Sequence, residues 1–152
     1  LRVFATVGDE KETGMVSSGP LEDRLAIREL VESYNDAVMR FDAEAWAANW
    51  VDDAVWSLPG VGEVAGREKI VALWKQMMSA LSFVGFYASA GPIVVTANAA
   101  TATWWQQELL HGKDGVRTAI QGRYEDVYSK RSGRWYFAKR VYAVLDRQES
   151  KE

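Results

Sequence analysis

The sequence contains no cysteine and a single histidine in 152 residues. The first absence excludes a disulfide scaffold, a thiolate-held zinc or iron–sulfur centre and a cysteine nucleophile. The second excludes any site that needs two imidazoles. Basic blocks are also missing: 18 Lys and Arg stand against 21 Asp and Glu, a net charge of −3. That balance argues against a nucleic-acid partner. The opening LRVFATVGDEKETGMVSSG has no apolar run of signal-peptide length. No charge occurs between Lys75 and Glu108, yet Gly85, Gly91, Pro92 and Asn98 interrupt that stretch. It therefore reads as buried strands, not as a membrane span, and a cytoplasmic location is expected. No motif calls for a cofactor or a metal.

What is present is one domain's worth of chain with an excess of large aromatics, 7 Trp and 6 Tyr. These serve either a large-residue core or the walls of an apolar cavity. Met15-Val16-Ser17-Ser18-Gly19-Pro20 reads as a natural start, residues 1–19 as a flexible tail, 20–146 as the domain and 147–152 as a fraying end.

Ile27, Leu30, Val31, Tyr34, Val38 and Phe41 recur at helical spacing and predict a helix over 21–41. Asp42 is placed to cap a second short helix carrying Trp46 and Trp50. Short strands follow at 54–58 and 63–65, then a helix over 67–81. Strands are expected at 83–90, 92–97, 100–110, 116–129 and 134–145, broken at Gly91-Pro92, Asn98, 111–115 and Arg131-Ser132-Gly133. Helices first and a long antiparallel sheet last make the class α+β.

A turn centred on Ser132 pairs 128 with 136, 126 with 138, 124 with 140 and 122 with 142. One face of the last hairpin then holds Tyr124, Asp126, Tyr128, Tyr136, Ala138, Arg140 and Tyr142, with Asp126 and Arg140 diagonal neighbours. Hydroxyl-bearing aromatics around one acid and one base suit a decorated pocket. The opposite face, with Arg123, Glu125, Val127, Trp135, Phe137, Lys139 and Val141, suits a subunit interface.

The runs LEDRLAIRELVESYNDAVMRFDAEAWAANWVDDAVWSLPG and GRYEDVYSKRSGRWYFAKRVY resemble the opening and the closing hairpin of SnoaL-like members of the nuclear transport factor 2-like superfamily. The resemblance implies a cystatin-like cone: three N-terminal helices on a strongly bent antiparallel sheet around an apolar cavity, in homo-oligomers, dimers or trimers. Relatives of the hexachlorocyclohexane dehydrochlorinase, scytalone dehydratase and bile-acid dehydratase types use a His base oriented by an Asp. Carried over by position, Met39 stands where that Asp belongs and Tyr87 where the His belongs. Tyr34 occupies a Tyr or Lys position, Tyr136 an Arg position, and Trp56 matches a pocket Trp. Ketosteroid isomerases and SnoaL-type cyclases resemble the chain in placing an acid on the strand that here holds Asp126.

These readings converge on Asp126, Tyr87 and Tyr34 as catalytic candidates, and on Arg140, Tyr136, Trp56, Met39 and Tyr124 as substrate-binding ones. Against each stands a structural alternative: an Asp126–Arg140 ion pair and core tyrosines with satisfied hydroxyls. Glu108 is expected to be exposed and His111 to sit in a solvated turn. The expected function is a cofactor-free lyase or isomerase acting by proton transfer on a small, largely apolar, aromatic or polycyclic molecule. The alternatives are a non-catalytic small-molecule binder, or a structural subunit resembling the small subunit of aromatic-ring dioxygenases.

Overall fold

The computed structural model describes residues 16–151. The expected start at Met15 and most of the expected tail lie outside the described residues. Among the described residues three helices, α1 (Leu21–Met39), α2 (Ala43–Ala47) and α3 (Arg67–Ser79), accompany six strands. The strands are β1 (Trp50–Leu58), β2 (Gly62–Ala65), β3 (Leu81–Thr96), β4 (Ala99–Gly112), β5 (Val116–Arg131) and β6 (Arg134–Lys151). They form one sheet in the order β2-β1-β6-β5-β4-β3. The class is α+β, with two corrections. The sheet is mixed, because β1 lies parallel to β6, and the three helices are not all N-terminal to the sheet as the resemblance implies, since α3 follows β1 and β2 where the 67–81 periodicity placed it.

The helical stripe is buried at Ile27, Leu30, Val31, Tyr34 and Val38, but the helix stops at Met39 and Phe41, at positive φ, is exposed; α1 packs across β3 and β6. The Asp42 carboxylate accepts from the Ala45 N–H at 2.9 Å and so starts α2. Trp46 from α2 stacks on Trp74 of α3 at 4.8 Å and meets Trp50 and Trp56 of β1 at 5.4 and 5.6 Å. This cluster joins the helices to the β1 side of the sheet. Aromatic pairs of this kind contribute about 0.5–1.5 kcal/mol each beyond their burial.

Single extra residues decide which side chains face inward. Gly91-Pro92 is not a break: β3 runs through it, and the register shifts by one residue between Ala90 and Ile93. Pro92 is tolerated there because β3 is an edge strand and the bulge asks nothing of its missing N–H. At the tip of the last hairpin, Ser132 and Gly133 both have positive φ, 50° and 79°, and Arg131 opposes Arg134. This is a two-residue turn, so the register differs from that of a turn centred on Ser132. A bulge at Ala138 then shifts it again: Tyr128 faces Phe137, whereas Val127 faces Lys139. Trp135 and Phe137, expected on the outer face, instead point inward before the bulge, and Arg140 points inward after it.

The ends also depart from expectation. Residues 146–151 do not fray; they pair with Val116–Gln121 of β5. Ser18 bridges to Val94, and its N–H donates to the Ile93 carbonyl at 2.9 Å, so the last residues of the expected tail dock on the edge of β3. Among the described residues, no helix is long and apolar enough to cross a membrane.

Candidate active site

The inward face of β4 carries Ala100, Ala102, Trp104, Gln106 and Glu108, all buried. Opposite them on β5 stand Tyr128, Asp126, Tyr124, Gly122 and Ile120 in register. Beyond β5 lie Phe137, Arg140, Tyr142, Val144 and Arg147 of β6. Between this surface and α1, α3 and β1 lies a cavity of about 290 Å³. Its walls are mostly apolar, including Val38, Trp56, Trp74, Val84, Phe86 and Ile120. Its polar groups come from Tyr34, Glu108, Tyr124, Tyr142 and Arg147.

Two buried carboxyls lie on this face in different surroundings. Asp126, only 2% exposed, accepts from Arg140 Nε at 2.8 Å and from the Tyr128 hydroxyl at 2.7 Å. The Tyr128 hydroxyl in turn accepts from Trp104 Nε1 at 2.7 Å. Asp126 and Arg140 are directly opposed, not diagonal, because the Ala138 bulge slides Arg140 into place. The Arg140 guanidinium lies 3.8 Å from the Tyr124 ring, 4.3 Å from Phe137 and 4.5 Å from Tyr34. Neither member of the pair lines the cavity; the rings stand around them. Burial pushes the Asp126 carboxyl up while Arg140 pulls it back. Burial works against the Arg140 charge, but Asp126 and the surrounding Tyr34, Tyr124 and Tyr128 together outweigh it, and the guanidinium stays charged.

Glu108 faces the cavity itself. It is 8% exposed, and its carboxylate accepts from the Tyr142 hydroxyl. Among the described residues no cation bonds to it. Burial raises its pKa above the ordinary carboxylate range, opposed by the Tyr142 bond and by the field of Arg140. Burial likewise raises the phenols of Tyr34, Tyr124 and Tyr142. They remain protonated donors.

Tyr142 reaches Glu108 across a gap that only glycine leaves open. Tyr142 opposes Tyr124, Gly122 opposes Gln106, and Glu108 opposes Ile120. The line from Tyr142 to Glu108 therefore runs diagonally over Gly122. A Cβ on Gly122 would overlap the Tyr142 ring and hydroxyl. The ring stacks on Tyr124 at 4.5 Å, which fixes its other side.

Of the residues singled out from sequence, Tyr34, Trp56 and Tyr124 line the cavity. Trp56 is buried and its N–H has no protein partner. Met39, the last residue of α1, packs against the core and is not in the wall. Tyr87 is a correction: it is 55% exposed, on the outer face of β3 across from Gln107. Strand alternation explains the miss, since its neighbour Phe86 takes the inward position. Tyr136 is a second correction. It precedes the bulge, alternates with the inward Trp135 and Phe137, and packs under Arg134 at 4.9 Å. Glu108 was missed, although its parity matches Ala100, Ala102 and Trp104. His111 belongs to β4, not to a turn, with its ring 4.8 Å from Phe83.

Solved structures with this fold include a type 2 hexachlorocyclohexane dehydrochlorinase, at 22% identity over 86% of this chain and 90% of that one, with a TM-score of 0.79. A candidate scytalone dehydratase of Novosphingobium aromaticivorans is 18% identical over 87% of this chain and 90% of its own, with a TM-score of 0.79. A candidate aromatic ring hydroxylase of the same organism is 24% identical over 89% and 96%, with a TM-score of 0.81. By sequence, no curated protein matches the chain. Residues 19–141 match the SnoaL-like domain, which spans the helices, the cavity and the Asp126–Arg140 pair, and the chain belongs to that family.

Proposed function

We propose that the protein is a lyase- or isomerase-type enzyme that moves a proton on a small, largely apolar, oxygen-bearing molecule held in the cavity. The carrying observation is Glu108: a carboxyl buried in an apolar wall, bonded to one phenol and to no cation. That environment favours an acid–base group whose pKa lies above the ordinary range. In this reading Glu108, and not Asp126, exchanges the proton. The carboxylate takes a proton from the carbon beside an oxygenated carbon. The released electron pair moves toward the oxygen, where the phenols of Tyr34 and Tyr124 donate hydrogen bonds to the growing charge. The protonated Glu108 then returns the proton to another carbon, giving isomerisation, or to a departing group, giving elimination. Tyr142 holds the carboxylate in place throughout. The solved structures with the same fold include a dehydrochlorinase, which is consistent with elimination chemistry.

Exchange of carbon-bound hydrogen in D2O, followed by NMR across a panel of bicyclic and polycyclic ketones, tests this without knowledge of the natural substrate. The wild-type protein should accelerate exchange beside the oxygenated carbon. Glu108→Gln should lose at least the ~10²-fold of general acid–base work while still binding the ketone. Exchange that survives in Glu108→Gln sinks the assignment. Binding without exchange in the wild type supports the non-catalytic binder instead.

The outer face of β3 and β4 exposes Phe83, Tyr87, Trp105 and Leu109 side by side. Such a patch supports a homo-oligomer with a second copy of this chain as its occupant, and a molecular mass measured in solution tests it.

A further inference from the structure

We infer that Arg147 gives the cavity a preference for anionic ligands: an apolar body with a carboxylate at its outer end and its reacting end against Glu108. This rests on the reading of the cavity as a small-molecule site and adds the substrate class.

Three observations carry it. First, Arg147 is, among the described residues, the one cationic side chain in the cavity wall, and its side chain is 55% exposed, so it stands where the cavity opens to solvent. Second, it is aimed there by an extra residue. Gly122 faces Val144 but Gln121 faces Asp146, so Leu145 is a bulge. After it, the inward positions of β6 pass from Val144 to Arg147, which opposes Ile120. An unbulged β6 would turn Arg147 to the outer face. Third, the sheet sets the distance. Phe86, Glu108, Ile120 and Arg147 form one row across β3, β4, β5 and β6. Glu108 and Arg147 are two strand spacings apart, roughly 10 Å between backbones.

The two ends of the cavity are thus unlike in charge. The inner end presents a carboxyl and phenol hydroxyls, which repel an anion or hydrogen-bond a neutral oxygen. The outer end presents a guanidinium, which pairs with a carboxylate through two parallel hydrogen bonds. Only one orientation of an apolar acid satisfies both. Arg147 is already paired with Glu149, with Nε at 3.1 Å from the carboxylate, but Glu149 is itself half exposed. An exposed pair of this kind is weak, so a ligand carboxylate held by the apolar walls can replace Glu149.

Calorimetric titration with 2-naphthoate and its neutral analogue 2-naphthamide, at neutral pH and low salt, tests the inference on the full chain. The wild-type protein should bind naphthoate about tenfold more tightly, as for a hydrogen bond to a charged group. In Arg147→Gln the ratio should fall to about one with naphthamide affinity unchanged. In Glu149→Gln the affinity for naphthoate should rise and that for naphthamide should not. Equal affinities in the wild type, or a preference that survives in Arg147→Gln, overturn the anion preference while leaving the apolar cavity reading intact. Failure of both ligands to bind overturns that underlying reading, and the inference with it.

Discussion

Asp126 and Glu108 are both inward-facing acids on adjacent strands, both buried, and they end in opposite situations. Asp126 meets Arg140 of β6 and Tyr128 of its own strand, and the Arg140 bond ties β5 to β6. Glu108 meets one phenol and an open cavity. Burial is common to the two; a bonded counter-cation is not. Burial raises both carboxyls; at Asp126 a bonded guanidinium opposes the rise and occupies the acid, whereas Glu108 bonds one phenol and faces the cavity. The same strand pair therefore supplies a strut at one end and a candidate proton carrier at the other.

The largest effect should come from breaking the strut. Asp126→Asn leaves the Arg140 charge at 0% exposure without its partner. Removing one member of a buried pair costs about 3–5 kcal/mol. Urea unfolding of the variant should show that loss, and any surviving folded protein should retain its ligand binding. If Asp126→Asn is as stable as the wild type but inactive, the roles given to the two acids are reversed.

A smaller effect is expected at the glycine between them. Gly122→Ala puts a methyl group into the path of the Tyr142 ring. Overpacking of this kind costs about 1–3 kcal/mol. The ring must swing away, and the Tyr142–Glu108 bond goes with it. Because that bond lowers the Glu108 pKa, its loss should move the pH midpoint of hydrogen exchange upward. A stability loss with an unmoved midpoint would show that Tyr142 does not position Glu108. Tyr142→Phe should move the midpoint in the same direction without the packing loss.

Much of the fold was legible in the sequence, because periodicity reports burial directly. The stripe from Ile27 to Val38 and the capping Asp42 needed no tertiary information. The last hairpin announced itself through Ser132-Gly133. The site was less legible because single inserted residues carry no sequence signal of their own. Ala138 looks like any strand residue, yet its bulge turns Tyr136 outward and seats Arg140 on Asp126. Leu145 does the same for Arg147. Tyr87 failed for a related reason: transferring a family position with an error of one residue moves a side chain through the sheet. Glu108 could have been found from its alternation with Trp104, Ala102 and Ala100, but the 111–115 turn left the pairing of β4 with β5 open. The parallel β1–β6 pair was beyond local reasoning, since nothing near Trp50–Leu58 specifies a partner so far along the chain.

The smallest stability effect is the pH dependence of Glu108→Gln. The folded protein raises the Glu108 pKa, chiefly by desolvation, while the unfolded chain restores the ordinary value. Below that ordinary value both states hold the proton and Glu108 contributes no pH dependence. As pH rises from there through the raised folded value, the unfolded chain has released a proton that the folded chain still holds. Stability therefore falls across this window and levels off above it. Glutamine does not titrate. The difference in unfolding free energy between Glu108→Gln and wild type should thus shift in favour of the variant as pH is raised, by less than the ~1–3 kcal/mol expected at Gly122. Denaturant titrations of both proteins in parallel, stepped from acid to neutral pH, measure it. A difference that stays constant with pH would mean that Glu108 titrates like an exposed carboxylate, and its role as proton carrier would fail.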